Sequence, residues 1–457
     1  MVIVQQITSP SPSPPPASPS KWGRDKEGNN YSPPTRGGER ELFARISTSE
    51  LSINSSRCHA QGKEEDMTLA LEGIKILDLS RLLPFNYCTL MLADLGAEVL
   101  KIEEPGIGDY MRWLPPKLKE ENAVFLMANR NKKSVTLNLK DEKAKEILRK
   151  LVKEYDVLFE SFRPGVMKKL GVDYESLRAI NPRLIFCSST GYGQDGPYSN
   201  RPGHDMNYIG VAGILEATGR HTGAPVIPGI PIADMSIGIF SAFSILAGII
   251  SRNKTGKGQY IELSMTDCMV SYNMVNIANY VASKQSQSAE ILGIAGETPC
   301  YNVFKTKDGK FISLGNIEDK FWLNLLKLIG REDLAEYQFA TGEKQQKAMD
   351  ELQKVFLTRT RKEWLELLEG KDTCYAPVND IEDLMADPHV KHRKMLLKSE
   401  HPVEGEILTV GFPFKFSETP AKIRTPSPVL GQHTEEILRG LGYKSQDIEE
   451  MREKGVI

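Results

Sequence analysis

The sequence predicts an α/β protein, with a large doubly wound parallel-sheet domain and a smaller α+β domain. Three observations carry that prediction. Residues 73–105 alternate strand, helix, strand. The strands are consecutive apolar runs rather than alternating ones, as in a sheet covered on both faces. Beyond residue 286 the pattern changes to a hairpin followed by amphipathic helices.

Taken in order, GIKILDLS is the first strand, FNYCTLMLADLG a helix stopped at Gly96, and AEVLKIEEP the second strand. Such a βαβ unit implies parallel pairing. KKSVTLNLK reads as a strand. DEKAKEILRKLVKEY sets Ala144, Ile147, Leu148, Leu151 and Val152 at helical spacing. DVLFESF and PRLIFCSSTGYG read as further strands. Helix is expected from Gly203 through Ala217 and from Asp234 to Arg252, then a glycine turn at TGKGQ, a strand at YIELSM and one helix over TDCMVSYNMVNIANYVAS. TPCYNVFKTKDGKFISLG reads as a hairpin turning at Lys307-Asp308-Gly309. The helices FWLNLLKLIG, EKQQKAMDELQKVFLT and TRKEWLELLEG follow. From about Glu404 the chain reads as extended and Pro-rich, ending in the helix TEEILRGLG. The expected organisation is a disordered Pro/Ser-rich extension over 1–66, a large domain over 67–285, a small one over 286–403, and a return to the large domain over 404–457.

Composition narrows the function classes. With 457 residues there is ample core for two domains. A formal charge of −2 implies no basic surface for nucleic acid. The six cysteines are scattered without metal-ligand spacing, which points to a reduced, cytoplasmic setting. The seven histidines form no HExxH, so no metal site is expected. The longest apolar run, residues 235–250, falls short of the roughly 18 residues of a membrane span and reads as a buried helix, so no membrane partner is expected. No GxGxxG follows the first strand, which removes the case for NAD.

Four residues stand out as chemistry. His204-Asp205 lie in RPGHDMNYIG, Asp234 opens an apolar helix in IPGIPIADMS, and Glu318 sits where a strand hands over to a helix in FISLGNIEDKFW. Taken singly, each carboxylate reads more readily as a helix cap or a dipole partner, and His204 as a structural histidine. Together they supply two opposed proton-transfer groups and a carboxylate to orient one of them, which suits chemistry at a carbon next to a carbonyl.

The segments LADLGAEVLKIEEP, NRNKKSVTLNLK, SFRPGVMKKLG, STGYGQDGPY, GHDMNYIG, TGKGQYIELSMTD, CYAPVNDIEDLMADPHV and PSPVLGQHTEEIL resemble, in the same order, the CaiB/BaiF (family III) CoA-transferase superfamily. Within it the chain is most similar to the α-methylacyl-CoA racemase branch, because a histidine, His204, precedes the aspartate. The resemblance implies an interlocked homodimer acting on an acyl-CoA, with no cofactor beyond the CoA thioester itself. It implies racemisation at C2 of a 2-methylacyl-CoA-like thioester, with His204 and Asp234 as the two acid/base groups and Glu318 holding the His204 tautomer. The alternative it implies is CoA transfer to a carboxylic acid through an adduct on Asp205. It points to Lys101, Arg130, Lys133 and Arg163 at the CoA phosphates or adenine, and to Tyr208 along the thioester pocket. After Asp234 the racemases often have a glycine run; MSIG stands here, so a reshaped acyl pocket is expected.

Overall fold

The computed structural model describes residues 68–219, 224–284, 296 and 298–457. The Pro/Ser-rich extension and the expected boundary near residue 285 lie outside the described residues.

Six parallel strands form the main sheet: β1 (Lys75–Asp78), β2 (Glu98–Glu103), β3 (Lys132–Thr136), β4 (Val157–Glu160), β5 (Ile185–Thr190) and β6 (Tyr260–Ser264). Their order is β3-β2-β1-β4-β5-β6, the doubly wound arrangement the strand pattern predicted. Alternate residues feed two cores. Leu77, Leu100 and Leu158 face the helix Glu142–Val152, while Ile76, Val99 and Phe159 face the helices Leu83–Asp94 and Ile232–Thr255. The order reverses between β1 and β4, and in such sheets ligands bind outside the carboxyl ends at that crevice.

The helix Ile232–Thr255 is long and apolar enough, by length and composition, to cross a membrane, yet half of its apolar window is buried inside the protein. It packs so closely on Leu83–Asp94 that a side chain at Gly238 would strike the Pro84 carbonyl and the Tyr87 ring. The long helix expected over 266–283 is two helices, Met265–Tyr272 and Met274–Ser283, broken at Asn273.

The predicted hairpin is present as β7 (Tyr301–Lys305) and β8 (Phe311–Gly315). It is joined by β9 (Tyr375–Val378), which the sequence reading did not mark as a strand. One face of this antiparallel sheet buries Phe304, Ile312 and Leu314 against Trp322, Phe356 and Trp364 of the three helices that follow β8. The segment around Glu404 is not simply extended: β10 (Leu396–His401) pairs antiparallel with β11 (Gly405–Val410). The chain then returns to β3, where the His433 N–H donates to the Ser134 carbonyl and the Asn138 N–H to that of Val456. Leu438, Ile448 and Met451 of the last two helices join the core around Val135 and Leu148.

Candidate active site

The crevice is built by the turns that leave the strands. After β1 the chain passes through Arg81 and Leu82. Leu82 holds φ +72°, a conformation costly for a branched residue, and its N–H donates to both oxygens of Asp109 at 3.0 and 3.2 Å. The Arg81 guanidinium bonds the Tyr110 hydroxyl (2.8 Å) and Glu104, and lies 5.8 Å from the Phe162 ring centre. Arg163 follows at the turn after β4; it is exposed and carries no ion pair among the described residues.

On the other side of β4 the helix Asp205–Val211 faces the N-terminus of Ile232–Thr255. Asp205 does not cap its own helix. Its Oδ1 accepts the N–H groups of Ala233 (2.6 Å) and Asp234 (3.2 Å), two donors that the start of the long helix would otherwise leave open. The positive end of that helix therefore faces the Asp205 carboxylate. Asp234 is half-buried beside it. Burial, reinforced by the Asp205 charge, pushes the Asp234 carboxyl up to about 7. Two neighbouring carboxyls thus divide their tasks: one takes the amide donors, the other holds a proton near neutrality.

Tyr208 closes the floor. Its ring meets Tyr192 edge-on at 5.0 Å, and Tyr192 meets Tyr198 at 5.7 Å. A side chain at either Gly191 or Gly203 would collide with the Tyr208 ring, so both positions must stay small. Burial, with Tyr192 and Asp234 adding to it and Arg163 opposing it, raises the phenol to about 12. Arg163, Tyr208, Asp205 and Asp234 therefore share one electrostatic neighbourhood.

His204 is exposed at the N-terminal boundary of its helix, where the Asn207 side chain accepts its backbone N–H at 2.9 Å. Glu318 is exposed at the start of the helix Asp319–Ile329, with Cys374 as its electrostatic neighbour. Among the described residues no hydrogen bond or ion pair joins it to His204, Asp205 or Asp234.

Two of the residues expected at CoA, Lys101 and Arg130, are engaged inside the protein. Lys101 is fully buried, with its ammonium on Asp109 (3.0 Å), Asn86 Oδ1 (2.7 Å) and the Ser80 carbonyl (2.9 Å). Burial pulls its pKa down, but Asp78, Asp109 and Glu103 outweigh burial and leave it raised. Arg130 is 4% exposed, forked onto both Asp94 oxygens at 3.0 and 2.7 Å and bonded to Thr409 and the Val410 carbonyl. Both cations are satisfied inside the protein and hold elements together. Lys133 lies near the surface, paired with Glu436 at 2.8 Å.

Sequence reasoning missed Tyr192, Arg81 and Glu160. Glu160 had a readable signal, an acid ending an otherwise apolar strand in DVLFESF.

The model of CoA-transferase family III matches residues 71–434. The chain is 37% identical to the human succinyl-CoA:glutarate CoA-transferase, over 85% of this chain and 90% of the relative. It is 35% identical to the succinyl-CoA–L-malate CoA-transferase beta subunit of Chloroflexus aurantiacus, over 85% and 98%. It is 31% identical to a formyl-CoA:oxalate CoA-transferase of Escherichia coli O157:H7, over 86% and 100%. Among solved structures, a CaiB/BaiF family protein from Brucella suis superposes with a TM-score of 0.71 at 33% identity, covering 82% of this chain and 99% of that one. The chain belongs to CoA-transferase family III.

Proposed function

We propose that this family III enzyme moves CoA from an acyl-CoA to a carboxylic acid, with Asp205 as the nucleophile. The observation that carries the reading is the Asp205 carboxylate on the first amides of Ile232–Thr255, beside a carboxyl that holds a proton near neutral pH. A carboxylate oxygen of Asp205 attacks the thioester carbonyl, the C–S bond breaks, and CoA leaves as the thiolate. The thiolate then attacks the aspartyl carbonyl of the anhydride, forming aspartyl-CoA and releasing the donor acid. The acceptor carboxylate attacks that thioester, and the thiolate, freed again, takes the acceptor acyl group and restores Asp205. The neutral Asp234 carboxyl supplies a hydrogen-bond donor for the oxyanions along this path. Side chains and CoA itself suffice for every step.

The relatives are named for glutarate, malate and oxalate, so a small dicarboxylate is the first acceptor to try. A homodimer belongs to this reading. The helix Met274–Ser283 buries none of its residues, and it exposes Met274, Ile277, Tyr280 and Val281, an apolar face suited to a second copy. A second copy could also bring its Glu318 to the crevice.

The experiment is incubation with succinyl-CoA and a dicarboxylate, following acyl-CoA products and the mass of the Asp205 peptide. Acceptor-dependent product and an adduct on Asp205 are expected. The racemase reading keeps one observation, the Asp234 carboxyl poised near neutrality one helix end away from His204-Asp205. Deuterium uptake at C2 of a 2-methylacyl-CoA without acceptor, and no adduct, would establish that reading instead.

A further inference from the structure

Glu160 ends β4 at the crevice and is 3% exposed. One of its oxygens accepts the Phe162 N–H at 2.7 Å; the other bonds the Ser188 hydroxyl of β5. Ser188 Oγ in turn accepts Gln194 Nε2 at 2.7 Å, and the Gln194 N–H donates to Glu262 of β6 at 2.5 Å. One buried carboxyl thus ties together the turn after β4, the loop after β5, and β6. The same turn meets the other wall of the crevice: the Arg81 N–H donates to Ser161 Oγ at 3.2 Å, and the Arg81 guanidinium lies over the Phe162 ring. Arg81 and Arg163, the two cations flanking the reversal between β1 and β4, are therefore both set by a turn that Glu160 anchors.

We propose that Glu160 is a positioning residue for the CoA phosphates, acting through the turn that carries Phe162 and Arg163. The groups around it are Cys187 on β5, Tyr260 and Glu262 on β6, and Tyr174, whose ring packs on Tyr260. Arg81 and Arg163 flank the same turn and Arg178 lies over the Tyr174 ring, but among the described residues none of them forms an ion pair with Glu160. Burial, opposed only by Ser188 and the Phe162 N–H, pushes Glu160 up to about 7. Below that pH the neutral acid fits its cage. Above it a buried charge with no ion-pair partner among the described residues must recruit water or turn outward, which releases the turn and misplaces Arg163. CoA affinity therefore falls on the alkaline side.

The inference rests on the crevice being the CoA site, and not on which reaction follows. It is tested by calorimetric binding of free CoA between pH 6 and 8.5 to the full-length wild type, to Glu160→Gln, and to each in an Arg163→Ala background. A glutamine keeps the acceptor for Phe162 and offers a donor to Ser188, so it mimics the neutral acid at every pH. The wild type should lose affinity by up to about tenfold per pH unit above the midpoint, the limit for one linked proton. The glutamine variant should lack that part of the slope, and the difference should vanish without Arg163. An unchanged slope in Glu160→Gln overturns the proposal, as does an equal gain at pH 8.5 with and without Arg163. Should Glu160→Gln fail to fold, Ser188→Ala serves: loss of that hydrogen bond should move the midpoint upward, and an unmoved midpoint is equally fatal. If CoA binds at no pH, the reading of the crevice itself is wrong and Glu160 falls with it; a flat wild-type profile with tight binding removes Glu160 alone.

Discussion

Buried charge beside β1, β2 and β3 is held differently from buried charge at the carboxyl ends of β4 and β5. Under β1, β2 and β3 the acids have cations. Lys101 pairs with Asp109, Arg112 with Glu103 at 2.8 Å, and Arg130 with Asp94 at 2.7 Å. Lys132, fully buried, hydrogen-bonds the Asn86 carbonyl and Asn129 Oδ1, with Asp78 at 3.9 Å. At the carboxyl end of β4 and the start of the long helix, Glu160 and Asp234 have no cation partner among the described residues, whereas at the other end of β4 Asp156 pairs with the buried Arg252 at 2.7 Å. Glu160 has hydroxyl and amide partners, and Asp234 has Asp205. Matched charges fix geometry and are structural; unmatched carboxyls keep a proton that can be given up near neutral pH, which is what a reaction site requires. The resemblance points to Lys101 and Arg130 at CoA; in the structure both belong to the half where charge is matched.

The contrast breaks most sharply under substitution. Asp205→Asn should lower turnover by about a thousandfold or more, as loss of a covalent nucleophile does, while the melting temperature and CoA affinity stay near wild type. Retained turnover, with no adduct on Asp205 in wild type, would place the chemistry elsewhere. Lys101→Met should do the reverse. Removing one partner of a buried pair leaves Asp109 uncompensated and costs about 3–5 kcal/mol in urea unfolding, with little change in KM for acyl-CoA on the protein that remains folded. A stable Lys101→Met with a raised KM would return Lys101 to the CoA site.

What the sequence could and could not show follows from range. The strands of the main sheet were legible because apolar runs report local burial, and the hairpin at Lys307-Asp308-Gly309 because its turn chemistry is local. β9, β10 and β11 were missed: YAPV contains a proline, and LLKSEH and GEILTV are half polar or more. Asp205 was found, but not its partners, since the amides it caps lie 28 and 29 residues away on another helix. Lys101 carried a warning. It stands between Leu100 and Ile102 in a strand that feeds both cores, and a charge in the middle of such a strand has no route to water. The resemblance sets Glu318 beside His204; in the structure Glu318 starts the helix that follows β8, and no hydrogen bond or ion pair joins the two among the described residues.

A second difference between the halves is the direction of their pH dependence. Glu160 and Asp234 are raised to about 7 by burial, so their contribution to stability is complete below their unfolded pKa and is lost as pH rises through about 7. Lys132 is lowered to about 7 by burial, against the pull of Asp78; its contribution is complete above its unfolded pKa and is lost as pH falls through about 7. Thermal melts should therefore show Glu160→Gln flattening the loss of stability between pH 5 and 8. Lys132→Met should flatten the loss from alkaline toward neutral pH. Identical slopes in wild type and both variants would mean that neither group titrates in the folded protein, and the distinction between the halves would lose its electrostatic basis.

The smallest effect separates the two exposed cations. Arg163 stands at the crevice with no ion pair among the described residues, in the same electrostatic neighbourhood as Tyr208. Its planar fork is free to take a phosphate, and one charge-assisted hydrogen bond contributes about 1.5–3 kcal/mol. Arg163→Ala should raise KM for acyl-CoA by roughly ten- to a hundredfold with kcat changed less. Lys133 lies on β3, two strands from the order reversal, and already pairs with Glu436, itself largely exposed. Exposed pairs of that kind contribute at most about 1 kcal/mol, so Lys133→Ala should leave KM within about twofold. Equal losses at the two positions would mean that the CoA phosphates extend along the sheet edge past β2. The site would then reach into the half where charge is matched, and Glu436 would have to release Lys133 when CoA binds.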